Sequence, residues 1–421
     1  MNKNINSPLR QSDGSAEGDM NEIVSSPLGQ SDGSAGGGYD YIICGGGMAG
    51  LSLAYYLKTS SLAQKSILII EPQEKNKNDR TWAFWEATDN TFEHLLYKKW
   101  SSVRFRNIDN QSQILDIGNY HYKLLRGIDF YNFTINELKK IGNVEWLKES
   151  VTNIEETENG ASVNTSAGKK LHANYVFDST YKLKLDDKKN HNFLQHFKGL
   201  IIKSEQPVFN PDLPDMMDFG VEQYNECRFM YVLPFDKYTA MVEYTLFTES
   251  LLQEKEYDIE LKKYISEKLQ LTDYQVVEEE FGVIPMSDVV ANEFPSKHII
   301  RIGTAGGYTN PATGYTFQNT QRRLKSIVES LEKTGSPVVK NSFFKKRFLF
   351  YSSVLLNVLE QKRLPAGEVF GRLYERNSPS QIFKFLDGDT NFWEEIKIMY
   401  STKKPKFIAG VFDVIRRKMI A

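Results

Sequence analysis

The chain has 421 residues, of which 40% are hydrophobic and 25% charged, and its formal net charge is -2. This length allows a large core divided into two or three structural regions. The nearly balanced charge argues against a nucleic-acid-binding protein, because such domains usually carry a marked basic excess.

The rare residue types exclude several further classes of protein. Cys44 and Cys227 are the only cysteines, too few for a disulfide framework, and they favour a reducing compartment. The six histidines are scattered without the spacing of metal ligands, so no metal site is predicted. No segment resembles a signal peptide, and no apolar run reaches the roughly 18 to 20 residues that span a bilayer. We therefore expect a cytoplasmic location.

The first 38 residues have the composition of a flexible segment. The sequence SPLRQSDGSA at 7–16 returns as SPLGQSDGSA at 26–35, and three glycines follow. Such Ser-, Gly- and Asp-rich sequence buries too little apolar area to offset chain entropy. A disordered extension, 1–38, is predicted.

A dinucleotide-binding turn is predicted directly after this extension. Gly45, Gly47 and Gly50 form a GxGxxG motif between an apolar strand and a helix, and Glu71 ends the next apolar run. In such units the glycines allow a tight turn and a close approach of the pyrophosphate, and the acidic residue accepts ribose hydroxyls. The alternative is an ordinary glycine-rich strand-to-helix turn.

The hydrophobic pattern divides the remainder of the chain. Residues 39–150 are predicted to be the first part of a Rossmann-type FAD-binding domain. Residues 151–297 are a mixed region whose β-rich runs between 199 and 246 predict an antiparallel substrate subdomain. Residues 298–336 return to the FAD-binding domain, and 337–421 read as amphipathic helices. The fold class is therefore α/β, with an inserted antiparallel sheet and C-terminal helices.

A second glycine-rich segment, 303–314, supports the cofactor assignment. It resembles the second FAD-contacting segment of the hydroxylase-type flavoprotein superfamily, which implies cofactor contacts for Gly303, Gly306, Gly307, Pro311 and Gly314. Thr304 stands where many members carry Asp, a departure that points away from the hydroxylases. The alternative is a plain surface loop.

Several segments together resemble the lycopene cyclase family, in particular the bacterial β-cyclases. They follow one another in the family's order at 80–86 (RTWAFWE), 125–131 (LRGIDFY), 195–199 (QHFKG), 207–209 (PVF), 217–219 (MDF), 241–245 (MVEYT), 282–286 (GVIPM) and 303–314. The resemblance implies that both ψ-end groups of lycopene are candidates for closure to β-ionone rings, giving γ-carotene and β-carotene. It also implies that the enzyme uses bound FAD in its reduced form, that NAD(P)H reduces this FAD, and that the reaction involves no net oxidation of the substrate.

Glu243 is the proton donor that the resemblance implies. Protonating a C=C bond needs a neutral carboxyl in a dry site, and burial disfavours the carboxylate. Glu243 lies in an apolar, β-branched run that fits this need, although an exposed strand glutamate is the alternative. Many bacterial relatives carry a second acid at the next position, where this chain has Tyr244. Tyr244 is grouped with the substrate pocket, but on a strand its side chain should point away from Glu243 and have a supporting role.

The segment TWAFWE supplies the other site candidates. Glu86 is predicted to be a second carboxyl near the substrate or flavin, with a salt-bridged strand-end glutamate as the alternative. Trp82, Phe84 and Trp85 are candidates to stabilise the ring-closing cation with their aromatic faces. An ordinary aromatic core remains the alternative for these three residues.

Lycopene is insoluble in water, so the resemblance implies docking on a membrane. Peripheral binding at the inner face of the cell membrane is expected through the C-terminal helices, whose cations would lie near lipid headgroups. These cations are Lys345, Lys346, Arg347, Arg416, Arg417 and Lys418. Other enzymes of the carotenoid pathway are expected partners. The alternative is that these helices simply cover the sheet.

Two other functions are compatible with a flavin-binding sequence. One is an FAD-dependent monooxygenase that acts on an apolar isoprenoid with NAD(P)H and oxygen. The other is a carotenoid- or flavin-binding carrier. The sequence leaves open whether one or both ends are cyclised, the ring type and the oligomeric state.

Overall fold

The computed structural model describes residues 38–180, 189–340 and 343–420, without the side chains of 343–345 and 420. The predicted disordered extension lies outside the described residues, apart from Gly38. The strands are β1 Tyr39–Cys44, β2 Ile67–Ile70, β3 Thr81–Glu86, β4 Lys98–Trp100, β5 Ser102–Arg106, β6 Ser112–Asp116, β7 His121–Arg126, β8 Val144–Leu147, β9 Val151–Thr157, β10 Gly160–Thr165, β11 Lys170–Asp178, β12 Asn192–Lys203, β13 Asp215–Asp218, β14 Cys227–Pro234, β15 Thr239–Thr248, β16 Gln275–Ser287 and β17 Ile299–Arg301. The helices are α1 Met48–Lys58, α2 Gly127–Lys139, α3 Glu254–Glu267, α4 Phe317–Thr334, α5 Phe343–Glu360, α6 Ala366–Arg376, α7 Pro379–Leu386, α8 Phe392–Ser401 and α9 Lys404–Ile420.

The nucleotide-binding half is built on a largely parallel sheet. Strands β8, β2, β1, β11 and β17 run parallel in that spatial order. Strand β10 pairs antiparallel with β11, and β9 pairs antiparallel with β10. The buried residues of β1 and β2 are continuously apolar, as expected for strands that are covered on both faces. Helices α1, α2 and α4 pack together beside this sheet. The predicted βαβ unit and α/β fold class are confirmed.

The second half is a mostly antiparallel sheet with the order β16-β12-β15-β14-β13-β5-β6. Near one edge of this sheet, β12 pairs with β15 on one side and with the edge strand β16 on the other. The predicted antiparallel region between 199 and 246 is therefore present. Strands β5 and β6 join the same sheet from within the segment 39–150, and β11 joins the parallel sheet from within 151–297. The chain thus crosses between the two halves more often than the four predicted segments imply.

The C-terminal segment is helical, as predicted, and packs against the antiparallel sheet. Helix α5 packs on α9, while α6 and α7 contact β14 and β6. Buried polar contacts secure this layer: His191 on the loop before β12 binds Asp288 at 3.0 Å and Asn357 of α5 at 3.2 Å. No helix within the described ranges is long and apolar enough to cross a bilayer.

Candidate active site

The turn between β1 and α1 has the geometry that the glycine motif predicts. Gly45 has a φ of +101°, in the left-handed region that favours glycine. A Cβ on Gly50 would lie 2.0 Å from the carbonyl oxygen of Gly45, so the helix can approach the strand only with glycine there. A Cβ on Gly47 would meet no atom within 4 Å, which leaves open space in front of the helix N-terminus.

Glu71 supports this turn from the end of β2. Its carboxylate accepts the N–H of Gly46 at 2.7 Å and that of Gln73 at 3.0 Å, and Lys75 lies 3.7 Å away. The carboxylate therefore holds the turn in place. Its predicted contact with a ribose hydroxyl stays a prediction.

The second glycine-rich segment meets the first turn in space. Gly303 has a φ of +62°, and a Cβ on it would lie 2.8 Å from the Cβ of Ala49 in α1. Gly303, Thr304 and Gly314 border the same open space as Gly47. The other predicted contacts, Gly306, Gly307 and Pro311, are not among the residues that line it. They shape the loop: a Cβ on Gly306 would lie 2.4 Å from the carbonyl oxygen of Arg301.

The two glycine-rich segments open into a cavity of about 490 Å³ that extends along the antiparallel sheet. Two observations fit FAD as its occupant. The first residues of α1, Met48 and Ala49, line the cavity, so the helix N-terminus can face a pyrophosphate. The side chain of Gln195 also lines the cavity, and its Oε1 atom is buried without a hydrogen-bond partner.

Glu243 borders the sheet side of this cavity from the middle of β15. Its Oε1 atom accepts the hydroxyl of Thr245 at 2.7 Å. Burial raises the pKa of Glu243 to about 8; the Thr245 bond opposes this rise, whereas the negative charge of Glu280 adds to it. The side chain keeps some accessible surface because it faces the cavity. Near neutral pH the carboxyl is therefore a neutral acid inside the cavity.

A second carboxyl in the cavity, Glu280, was not predicted from the sequence. It lies on β16, and its Oε1 atom accepts the N–H of Thr81 at 3.0 Å. Burial raises the pKa of Glu280 above its ordinary value, although hydrogen bonds from Thr81 and the charge of Arg80 partly oppose this rise. The run of three glutamates at 278–280 has the appearance of a solvated edge. The sequence feature that could have identified Glu280 is its position two residues before the GVIPM segment.

Tyr244 does not line either large cavity, which corrects its grouping with the substrate pocket. Its side chain is fully buried on the opposite face of the sheet, beneath α3. There its hydroxyl accepts a hydrogen bond from Arg228 at 3.0 Å. The expectation from strand alternation, that Tyr244 points away from Glu243, is confirmed.

The three aromatic candidates of TWAFWE have different locations. Trp82 lines the larger cavity and packs edge-on against Phe130 at 5.5 Å. Phe84 is buried and stacks on Phe317 at 4.6 Å, outside the lining of that cavity. Trp85 points to the other face of β3, where its indole N–H donates to Asp387 at 2.7 Å. Of these three aromatic residues, only Trp82 therefore lines the cavity that contains Glu243.

The structure does not place Glu86 beside the substrate cavity. The Glu86 carboxylate accepts from Lys123 at 3.1 Å and from Asn90 at 2.6 Å. The ammonium of Lys123 is almost wholly buried and also binds Glu93 at 2.6 Å. A buried cation needs such partners. The predicted location near the flavin or substrate is therefore wrong, and the salt-bridged alternative describes this residue.

A second cavity, of about 420 Å³, lies between the antiparallel sheet and the C-terminal helices. Its lining is almost entirely apolar and includes Phe247 of β15, Leu355 of α5, Val369 of α6 and Val411 of α9. Trp85 borders it as well. Tyr231 and Tyr315 line both cavities, and the hydroxyls of Tyr122 and Tyr231 interact with that of Tyr315. A small group of tyrosines is thus the boundary between the cavities.

Comparison with known proteins agrees with this arrangement. Two curated relatives are lycopene beta-cyclases: that of Pseudescherichia vulneris is 25% identical over 69% of this chain and 74% of its own length. That of Synechococcus elongatus is 23% identical over 70% of this chain and 72% of its own length.

Solved structures share the fold at low identity. A geranylgeranyl bacteriochlorophyll reductase-like protein from Thermoplasma acidophilum has a TM-score of 0.65 and 14% identity, covering 89% of this chain and 99% of that one. A flavoprotein/dehydrogenase from Cytophaga hutchinsonii has a TM-score of 0.59 and 12% identity, covering 91% and 100%. The fold is that of FAD-binding flavoproteins. A family model described as lycopene cyclase protein matches residues 40–413, and the chain belongs to the lycopene cyclase family.

Proposed function

We propose that this protein is a lycopene β-cyclase that closes ψ-end groups into β rings by acid catalysis, with FAD in its reduced form. The observation that carries the proposal is a neutral carboxyl, Glu243, in a cavity that also contains the nucleotide-binding turn. Ring closure of a polyene begins with protonation of an isolated C=C bond, which requires a strong acid without competing water.

Glu243 is the donor of this proton. Its pKa of about 8 keeps it protonated at neutral pH, and Thr245 fixes the direction of one carboxyl oxygen. Much of the wall around it is aromatic or aliphatic, including Phe197, Leu233 and Met241. A carboxylic acid in such surroundings gives up its proton only to a group that approaches it directly. The wall therefore favours transfer to the hydrocarbon over loss to solvent.

The cation that follows needs negative charge and aromatic surface nearby. When bound, reduced FAD would supply negative charge in this cavity, and NAD(P)H is the proposed source of its electrons. Met48, Ala49, Gly303 and Gly314 would hold the cofactor, because they line the cavity at the two glycine-rich segments. Trp82 is the aromatic face that this proposal assigns to the cation.

The long polyene chain needs an apolar path away from the acid. The second cavity offers one, because its lining is apolar and it adjoins the first at Tyr231 and Tyr315. A hydrocarbon chain in this cavity would place one end group beyond the tyrosines, towards Glu243. This arrangement also supports uptake of substrate from a lipid phase.

Docking at the inner face of the membrane is part of the proposal. Helices α8 and α9 expose several large apolar side chains: Phe392, Trp393, Tyr400, Ile408, Phe412 and Met419. Ile408 and Tyr400 also line the apolar cavity. Of the cations predicted to face lipid, Lys346 and Arg416 are exposed. Lys418 is also exposed, although it lies 3.7 Å from Asp288. By contrast, Arg347 and Arg417 are partly buried and bind Glu395 and Glu360. The side chain of Lys345 lies outside the described residues.

The proposal is tested with purified protein, lycopene in liposomes and dithionite-reduced FAD, without oxygen. Chromatography should show γ-carotene and β-carotene, since the reaction needs neither oxygen nor net electron transfer. A monooxygenase would be inactive without oxygen, and a carrier would return unchanged lycopene. Either of these results would contradict the proposal.

A further inference from the structure

Two carboxyl groups border the larger cavity on either side of a single glycine. In the sheet register Gly199 of β12 pairs with Glu243 of β15 and, on its other side, with Glu280 of β16. Directly paired residues point to the same face, and adjacent strands place the two glutamate Cα atoms roughly 9 to 10 Å apart. Gly199 has no side chain, and the space above it is taken by the end of the Met241 side chain, whose Cε would lie 2.8 Å from a Cβ there, and by Glu243 itself at 3.6 Å.

The surroundings of these two carboxyls differ in a way that separates their roles. Glu243 receives one hydroxyl donor, Thr245, and borders apolar side chains. Glu280 receives the peptide N–H of Thr81 and is attracted by Arg80, although Asp79 opposes this. Hydrogen bonds and a positive charge stabilise the ionised form of a carboxyl. When two nearby acids have such unequal environments, one holds the proton and the other is the anion. Burial raises the pKa of Glu280 as well, but its negative charge is one of the causes that raise the pKa of Glu243. Within the pair, Glu280 is therefore the group that ionises first and Glu243 the one that keeps the proton.

We propose that Glu280 is the catalytic base of ring closure and that it returns the proton to Glu243. This inference rests on the proposed cyclase function. Glu243 forms a C–H bond to the terminal alkene and becomes a carboxylate, and the neighbouring alkene forms the new ring C–C bond. The ring cation then loses a proton from carbon to Glu280. Transfer of that proton from Glu280 to Glu243 restores both groups, so no atom or electron is gained or lost.

The neighbouring glutamates of β16 do not share this position. Glu279 points to the opposite face, where Lys198 lies 3.4 Å from it, and its side chain is 58% exposed. Glu278 accepts a hydrogen bond from Asn78 at 3.1 Å and does not line the cavity. Of the three glutamates at 278–280, Glu280 is therefore the one that lines the cavity. Glu279 is the matched control, because it has the same side chain on the same strand but no access to the site.

The first test compares Glu280→Gln, Glu280→Asp and Glu279→Gln in the anaerobic cyclisation assay. Loss of the base should reduce turnover by about 100-fold in Glu280→Gln, the lower range for a general base. Glu280→Asp should recover part of that loss, and Glu279→Gln should match the wild type. Bound FAD and the thermal unfolding temperature are measured for each, so that a folding defect is recognised. Glu280→Gln with normal turnover contradicts the base role.

Two further readouts separate a base from a structural residue. The products of Glu280→Gln should contain γ- or ε-type rings, because a different group would remove the proton from another ring carbon. The acidic limb of the pH profile, where Glu280 becomes protonated, should also disappear. The groups that influence this limb are Arg80, Asp79, Thr81 and Glu243. An unchanged ring composition together with an unchanged acidic limb would overturn the proposal.

The coupling between the two carboxyls can be measured without turnover. Infrared difference spectra between wild type and Glu243→Gln isolate the C=O stretch of the protonated Glu243 carboxyl. In a Glu280→Gln background this band should titrate at lower pH, because the negative charge that raises the pKa of Glu243 is gone. An unchanged titration contradicts the pairing. If the wild type closes no ring, the proposed cyclase function fails, whereas active Glu280→Gln protein contradicts only the base role.

Discussion

The two cavities of this protein have similar volumes, about 490 and 420 Å³, but different walls. The first contains both glycine-rich segments and the carboxyls of Glu243 and Glu280. The second lies beneath the C-terminal helices, and the described residues that line it include no carboxyl group. They meet at Tyr231 and Tyr315. In the proposed function this difference separates two tasks: proton transfer is assigned to the first cavity, and binding of the long hydrocarbon to the second.

Replacing the acid of the first cavity should have the largest effect. We expect Glu243→Gln to reduce cyclisation by about 1,000-fold, within the range of lost general acids. FAD binding should not change, since Glu243 lies on β15 and belongs to neither glycine-rich segment. Product chromatography and flavin absorbance measure these two quantities. Substantial turnover by this variant would contradict the assignment of proton transfer to the first cavity.

The pH dependence of turnover tests the same carboxyl without a mutation. Glu243 must be protonated to act, and its pKa of about 8 lies above the ordinary value for glutamate. Turnover should therefore be maintained as the pH rises to about 8 and then decrease roughly tenfold per pH unit. An alkaline limb near pH 5, the range of an exposed carboxyl, would contradict a dry acid. Thermal unfolding at each pH shows whether the protein remains folded.

Filling the second cavity should reduce lycopene turnover moderately, without changing the acid or the cofactor. Val411 of α9 lines this cavity, so Val411→Trp should hinder the hydrocarbon chain and reduce lycopene turnover by about tenfold, on the scale of a few unfavourable contacts. FAD content and the infrared titration of Glu243 should stay unchanged. Ile415→Trp is the matched control, because Ile415 is on the same helix, is 42% exposed and does not line the cavity. Equal activity of both variants would contradict a substrate channel beneath these helices.

Replacing Glu86 should have the smallest effect on activity. It should lower the stability of the protein and leave its turnover nearly unchanged. Glu86→Gln removes one of the carboxylates around the buried ammonium of Lys123. We expect a loss of about 1 to 3 kcal/mol in the free energy of unfolding, because a partner of a buried charge is lost. Turnover per folded molecule should remain within about twofold, because Glu86 does not line the cavity that contains Glu243. Denaturant unfolding and the cyclisation assay measure these values; a strong loss of turnover in folded protein would place Glu86 in the catalytic group after all.

Local sequence patterns were sufficient where function depends on neighbouring residues of one segment. The turn at Gly45, Gly47 and Gly50 joins one strand to the following helix, so its geometry is set within a few residues. Strand alternation likewise predicted that Tyr244 turns away from Glu243. The same rule did not reveal the location of Glu86, because a carboxylate at a strand end gives no indication of the cation that it binds.

By itself, the sequence determined the nucleotide-binding turn, the α/β class and the helical character of the C-terminal segment, and it identified Glu243 as the candidate acid. Only the tertiary structure decided that Glu280 lies across Gly199 from Glu243, and that α5, α6 and α9 enclose an apolar cavity. The physical reason is that strand register and helix packing bring together residues far apart in the chain. Hydrophobic periodicity specifies which face of an element is buried, but it does not specify which other element covers that face.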